Sequence, residues 1–299
     1  MVDSDLSRRR DVLATVGAVS TAGCLGSRID DIMRRDSQSG SWPDDDWQLV
    51  VDEQWESFDT DRWGVGFIDR EEWIPDDDAA VREENVTITD GVCELLVESE
   101  GTGPDGCFQG VINSTTGEEP HHPAAGIPID PVPGQYVEAR LKLPGRTGIL
   151  PAFWMHPANM NWPPEIDIVE LFQRGEETSS ERQHLHVNVH WSESGTPNDR
   201  ETHTDDPFSL DTSIDLTESF NTYGCAWFED RIEWYFNENH ILTRTTPPAM
   251  IQSLTALESR PFGLVFSNHV NRIGQANLTE QWRERLAIDW VRVWEQDAQ

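Results

Sequence analysis

A chain of 299 residues that sets 55 Asp plus Glu against 22 Lys plus Arg, with Lys142 its single lysine, carries a formal charge of −33. No basic patch interrupts this excess, which excludes nucleic acid as a partner. The acids are spread along the chain rather than gathered in one tail, so they read as a whole surface adapted to high salt, where a Debye length of ~3 Å at about 1 M screens self-repulsion.

The first elements are an address and a tether. Ser7-Arg8-Arg9-Arg10 precedes a short, weakly apolar run from Val12 to Ala22, followed by Gly23-Cys24. Twin arginines, a short apolar stretch and small residues before a cysteine resemble a twin-arginine export signal ending in a lipoprotein cleavage site. The run is too short to span a bilayer. Residues 1–24 are therefore expected to direct export, with Cys24 becoming a lipidated first residue that holds the protein at the outer face of the cell membrane. Residues 25–46, polar and ending in Asp44-Asp45-Asp46, are expected to be a flexible tether. The other cysteines are Cys93, Cys107 and Cys225. Three cannot all pair, and a Cys93–Cys107 bridge is the arrangement an extracellular location would allow.

Residues 47–299 are expected to form one domain and to act as a monomer. No long amphipathic helix is visible. Short alternating segments recur instead, cut by Gly, Pro, Asn and Asp: 86–89, 92–97, 136–143, 152–156, 166–172, 184–191, 223–228, 232–237, 263–267 and 288–294. This pattern predicts an all-β antiparallel sandwich. No repeat of 20–50 residues appears, which disfavours a propeller. The stretch 227–232 reads as a tight polar turn between two strands, the second placing Ile232, Trp234 and Phe236 on one face. The 13 Trp against 3 Tyr supply broad apolar faces for the core and for stacking on sugars.

The chemistry is expected in residues 162–172 (WPPEIDIVELF), at whose centre lies Glu165-Ile166-Asp167-Ile168-Val169-Glu170. Carboxylates interleaved with Ile and Val form a strand with one face in a core and acids on the other. Glu165 and Asp167 share a face, whereas Glu170 would point the opposite way in a regular strand. A β-bulge at Ile168–Val169 would bring it back. Three carboxylates on one face cannot all ionise freely, so at least one pKa should rise, as an acid/base pair near neutral pH requires.

With residues 134–144 (GQYVEARLKLP), 148–155 (GILPAFWM) and this EIDIVE strand, the chain resembles glycoside hydrolase family 16. The similarity runs through most of residues 50–295, including 220–235 and 288–294. It implies a concanavalin A-like jelly roll with a concave glycan-binding cleft and a retaining endo-β-glycanase acting on a β-1,3-glucan or an algal galactan such as carrageenan or agar. Glu165 matches the family nucleophile, Asp167 the supporting acid and Glu170 the general acid/base, and the extra residue places the chain in the bulged branch. Retaining enzymes hold the two carboxyl groups about 5–5.5 Å apart. Trp154 matches a tryptophan beside the cleaved sugar. The resemblance also implies no cofactor for catalysis and a structural calcium on the convex face, with Asp289 as a ligand and Glu53 and the Gly91 carbonyl joining it.

Read from alternation, His184, His186, Asn188 and His190 face the cleft while Leu185, Val187, Val189 and Trp191 face the core. His186, Asn188 and His190 are expected to bind sugar hydroxyls. Similarity to the carrageenase branch gives His186 a role near the leaving group, but a one-residue difference in spacing leaves His186 and His190 both open. A metal cluster on these histidines is the weaker reading, because no ligand follows at suitable spacing. Arg174, Arg182, Arg200 and Arg272 are the cations available for an anionic substrate. A non-catalytic glycan-binding module and a transglycosylase on the same fold are the alternatives to hydrolysis.

Overall fold

The alternating segments become two stacked sheets. A computed structural model describes residues 27–28, 43, 46–67, 77–114, 131–175 and 181–296. The expected export signal, Cys24 and most of the tether lie outside them.

With strands numbered in chain order, the front sheet runs β1 (Ser27–Arg28), β14 (Phe208–Asp211), β12 (His184–Ser192), β11 (Glu165–Glu170), β10 (Ile149–Pro157), β18 (Phe262–Val270), β8 (Ile112–Asn113) and β3 (Gly64–Val65), with β13 (His203–Asp205) also paired to β12. The back sheet runs β17 (Asn239–Arg244), β16 (Ile232–Phe236), β15 (Asn221–Trp227), β9 (Gln135–Lys142), β19 (Gln281–Gln296), β6 (Val92–Glu100), β7 (Cys107–Gln109) and β4 (Ala80–Val81). In it β2 (Trp47–Glu53) pairs with β19 and β5 (Val86–Thr89) with β6. Pairing is antiparallel except for β1 with β14 and β4 with β7. This is the expected jelly-roll sandwich. Among the described residues one α-helix, α1 (Pro248–Thr255), packs against β12. Among the described residues no helix is long and apolar enough to cross a membrane.

The core lies between the sheets. Leu185, Val187 and Val189 of β12 and Ile166, Ile168 and Val169 of β11 are buried against Val137 and Leu141 of β9 and Ile232, Trp234 and Phe236 of β16. Phe153 of β10 and Phe266 of β18 stack at 4.3 Å. This continuous apolar layer is what fixes strand register, since a one-residue slip would turn it to solvent. Asp90 and Gly91 both take positive φ, 51° and 78°, in the two-residue turn joining β5 to β6, where Thr89 pairs with Val92. Such turns favour Gly and Asp for that backbone.

Cys93, Cys107 and Cys225 are all free and buried. The expected Cys93–Cys107 bridge does not form: Cys93 is buried in the main core between the sheets, whereas Cys107 belongs to a separate apolar cluster with Val97, Ile149 and Trp282.

Candidate active site

Strand β11 carries the expected bulge. From Asp167 to Glu170 it advances three residues while β12 advances two, from Asn188 to His186. On its other side Trp154 pairs with Asp167 but Phe153 with Val169. The extra residue lets both Ile168 and Val169 enter the core, at 1% and 0% exposure, and returns Glu170 to the face shared by Glu165 and Asp167. A bulge interrupts the ladder, and here the Trp234 indole N–H of the back sheet donates to the Asp167 carbonyl at 2.9 Å. The two sheets are thus tied together directly behind the acids.

Cross-strand register builds the surroundings. His190, Asn188 and His186 stand opposite Glu165, Asp167 and Glu170. The Trp162 indole N–H donates to Glu165 Oε2 at 2.8 Å. His190 Nε2 lies 3.2 Å from Asp167 Oδ2 and 3.7 Å from Glu165 Oε1. Asn188 Nδ2 donates to Asp205 Oδ2 at 3.2 Å and lies 3.1 Å from His190 Nε2. Beyond them His203 stacks on His190 with ring centroids 5.2 Å apart, and Trp162 lies 4.6 Å from His203. At the Glu170 end, His186 stacks on Phe172 at 4.2 Å.

These contacts set the charges. Burial first, and the neighbouring Asp167 second, push Glu165 up to about 7, against the opposing pull of His190, Arg272 and the Trp162 N–H. Burial also raises Asp167, and Arg272 opposes it. Glu170 is held well above the usual carboxylate range by burial, then by the charges of Asp167 and Glu165. A group kept protonated beside one that can ionise is the arrangement acid/base chemistry requires. Burial, aided by Arg174, pushes His186 down to about 3, so it faces the site as a neutral ring.

The four arginines separate. Arg174 caps Phe172 at 4.6 Å and Arg200 caps Trp162 at 5.5 Å, and Arg272 acts on all three acids through space. Arg182 donates to the Gly145 carbonyl and is structural.

The calcium donors do not fit as expected. The Glu53 carboxylate accepts from the Trp55 backbone N–H, the Trp63 indole and Arg62. Asp289 is ion-paired with Arg140, and Gly91 serves the β5–β6 turn. A guanidinium already neutralises each carboxylate where the metal would bind. Among the described residues, the ligand atoms that converge within 4.8 Å are those of Glu165, Asp167 and His190. Carboxylates do meet a histidine, but from the next strand, which spacing along β12 could not reveal.

Residues 134–292 match the family model described as glycosyl hydrolases family 16. The chain belongs to glycoside hydrolase family 16. Its relatives include the endo-1,3-1,4-beta-glycanase ExsH of Rhizobium meliloti (strain 1021), 30% identical over 165 residues, 54% of this chain and 30% of that protein. The endo-1,3-1,4-beta-glycanase EglC of the same organism is 30% identical over 128 residues, 43% of this chain and 24% of that protein. The chain thus matches under a third of the length of either. Among solved structures, the laminarinase catalytic domain of Thermotoga maritima MSB8 superimposes with a TM-score of 0.65 at 21% identity, covering 84% of this chain and 99% of that one. The endo-beta-1,3-glucanase of Pyrococcus furiosus gives 0.64 at 22% identity, covering 85% and 96%. These likenesses establish the fold.

Sequence reasoning missed His203 and Asp205 at the site and gave Trp162, inside the expected stretch, no role. Trp162 alone left a signal, three residues before Glu165; the other two reach it only through the pairing of β13 with β12.

Proposed function

We propose that this family 16 protein is an endo-acting β-glucan hydrolase that retains anomeric configuration. The observation that carries the reading is the bulged strand with Glu165, Asp167 and Glu170 on one face. Glu165 attacks the anomeric carbon as Glu170 gives its proton to the departing glycosidic oxygen. Glu170 then takes a proton from water, which attacks the same carbon and frees Glu165. The Trp162 N–H holds one oxygen of Glu165 and leaves the other to attack. Asp167 tunes Glu165, Trp154 offers a face to the sugar ring, and Asn188, His186 and His190 bind its hydroxyls. The chemistry needs no cofactor.

The test is hydrolysis of laminarin and lichenan in concentrated KCl, with anomeric products followed by proton NMR. Wild type is expected to release the β-anomer first, and E165Q and E170Q to lose at least about 10³-fold in rate. Initial release of the α-anomer, or full activity in E165Q, would overturn the assignment. Arg174, Arg200 and Arg272 around the acids favour an anionic galactan as the second reading, and carrageenan and agar in the same screen decide between them. The export reading of residues 1–24 puts the enzyme outside the cell, where a polymeric substrate is found. A C24S variant is then expected in the soluble fraction instead of the membrane fraction.

A further inference from the structure

A second polar chain crosses the front sheet, and the proposed hydrolysis gives a part to none of its members except Trp154. The Trp154 indole N–H donates to Ser267 Oγ at 3.1 Å. Ser267 Oγ lies 3.2 Å from His269 Nε2, and His269 Nδ1 lies 3.0 Å from Asp77 Oδ2. Ser267, His269 and Asp77 are 0%, 4% and 6% exposed. Phe67 stacks on the His269 ring at 5.7 Å and 13°.

Donor and acceptor roles along this chain are determined. Asp77 already accepts from Gln109 Nε2 at 2.9 Å, the Val270 N–H at 2.9 Å and the Ala79 N–H at 3.1 Å. A carboxylate in that role accepts from His269 as well, so Nδ1 of the ring carries the proton. Burial lowers the affinity of His269 for a second proton, and Nε2 is left as an acceptor. The Ser267 hydroxyl then donates to Nε2 and turns a lone pair toward the indole. Without His269 the hydroxyl could rotate and point its own hydrogen at the Trp154 N–H. Asp, His and Ser occur here in the order of a hydrolytic triad, but Ser267 Oγ is enclosed and occupied by the indole, so it has no access to a substrate.

We propose that Asp77, His269 and Ser267 are positioning residues that lock the Trp154 indole in the orientation in which it meets the sugar beside Asp167. The inference rests on the reading of Trp154 as a sugar platform. Fixing a side chain before substrate arrives spares the cost of ordering it on binding.

The experiment records indole N–H resonances of ¹⁵N-tryptophan-labelled protein, with W154F to assign Trp154, beside kinetics on laminarin. S267A is expected to shift the Trp154 resonance, speed its hydrogen exchange and raise KM about fivefold, the factor of one net hydrogen bond, with kcat within about twofold. S267T, which keeps the hydroxyl, is expected to restore both. H269F keeps a ring to stack on Phe67 but removes both the Nε2 acceptor and the Nδ1–H that donates to Asp77, and is expected to give a smaller shift of the same resonance. An unchanged Trp154 resonance in S267A, or a KM defect that S267T does not restore, overturns the proposal. Should wild type cleave no glucan at all, the β-glucan reading fails while the resonances still decide the relay.

Discussion

At the scale of single residues, the acids of the front sheet are held against their own preference. An unfolded Glu or Asp loses its proton near 4, whereas burial keeps Glu165 protonated up to about 7 and Asp167 and Glu170 also above their ordinary range. On the back sheet burial lifts Glu138 to about 7, although the Tyr136 hydroxyl, 2.8 Å away, opposes it. Between about pH 4.5 and 7 these four carboxyl groups therefore hold more protons in the folded chain than in the unfolded one. The stability these groups contribute is complete below the unfolded pKa and is lost as pH rises through the folded values. E170Q, which removes the charge but keeps the shape, is expected to melt at a higher temperature than wild type at pH 8. The difference should close at pH 4.5. Calorimetry at both values checks it, and equal melting temperatures at pH 8 would show that Glu170 is not held out of water. Catalytic carboxylates commonly trade stability for function in this way.

At the scale of elements, the bulge of β11 decides the site, and it was legible. In Glu-x-Asp-x-x-Glu flanked by Ile and Val, a two-residue period leaves no other way to put Glu170 with Glu165 and bury both Ile168 and Val169. The long strands β9, β10, β12 and β15 were legible for the same reason, each with enough residues to show alternation. β3, β4, β7, β8 and β13 were not, because two or three residues carry no period, and β2, β14 and β17 were passed over as well. Asp77 was hidden in an Asp-rich run of a chain rich in Asp, and the partners of Asp289 could not be seen until β19 lay beside β9. Deleting Ile168 alone converts the strand to Glu-Ile-Asp-Val-Glu, in which strict alternation keeps the acids together and the apolar residues inward. This variant is expected to fold, destabilised by about 2–4 kcal/mol for the lost core side chain. Deleting Ile168 and Val169 together drives Glu170 into the core and is expected to abolish folding. Circular dichroism and thermal melts separate the two, and equal behaviour would show that the bulge does not set the facing of Glu170.

At the scale of the molecule, charge dominates. On the back sheet Arg283 pairs with Glu98 at 2.6 Å, Arg285 with Glu94 at 2.7 Å and Arg292 with Asp52 at 2.9 Å. Such exposed pairs are worth little each, and 22 cations cannot neutralise 55 acids. Screening must supply what pairing does not. The melting temperature is expected to rise by on the order of 10 °C between 0.1 M and 2 M KCl. A melting temperature independent of salt would mean the surface is not organised around ionic strength.

The sulfur atoms of Cys93, Cys107 and Cys225 belong to this scale too. Burial pushes all three thiols up, Cys107 to about 12, so hardly any thiolate exists to meet an oxidant or to exchange. No covalent staple among the described residues needs forming, and none can be cut. Maturation of the sandwich thus owes nothing to the redox state of its surroundings: a reducing compartment and an oxidising one serve it equally well.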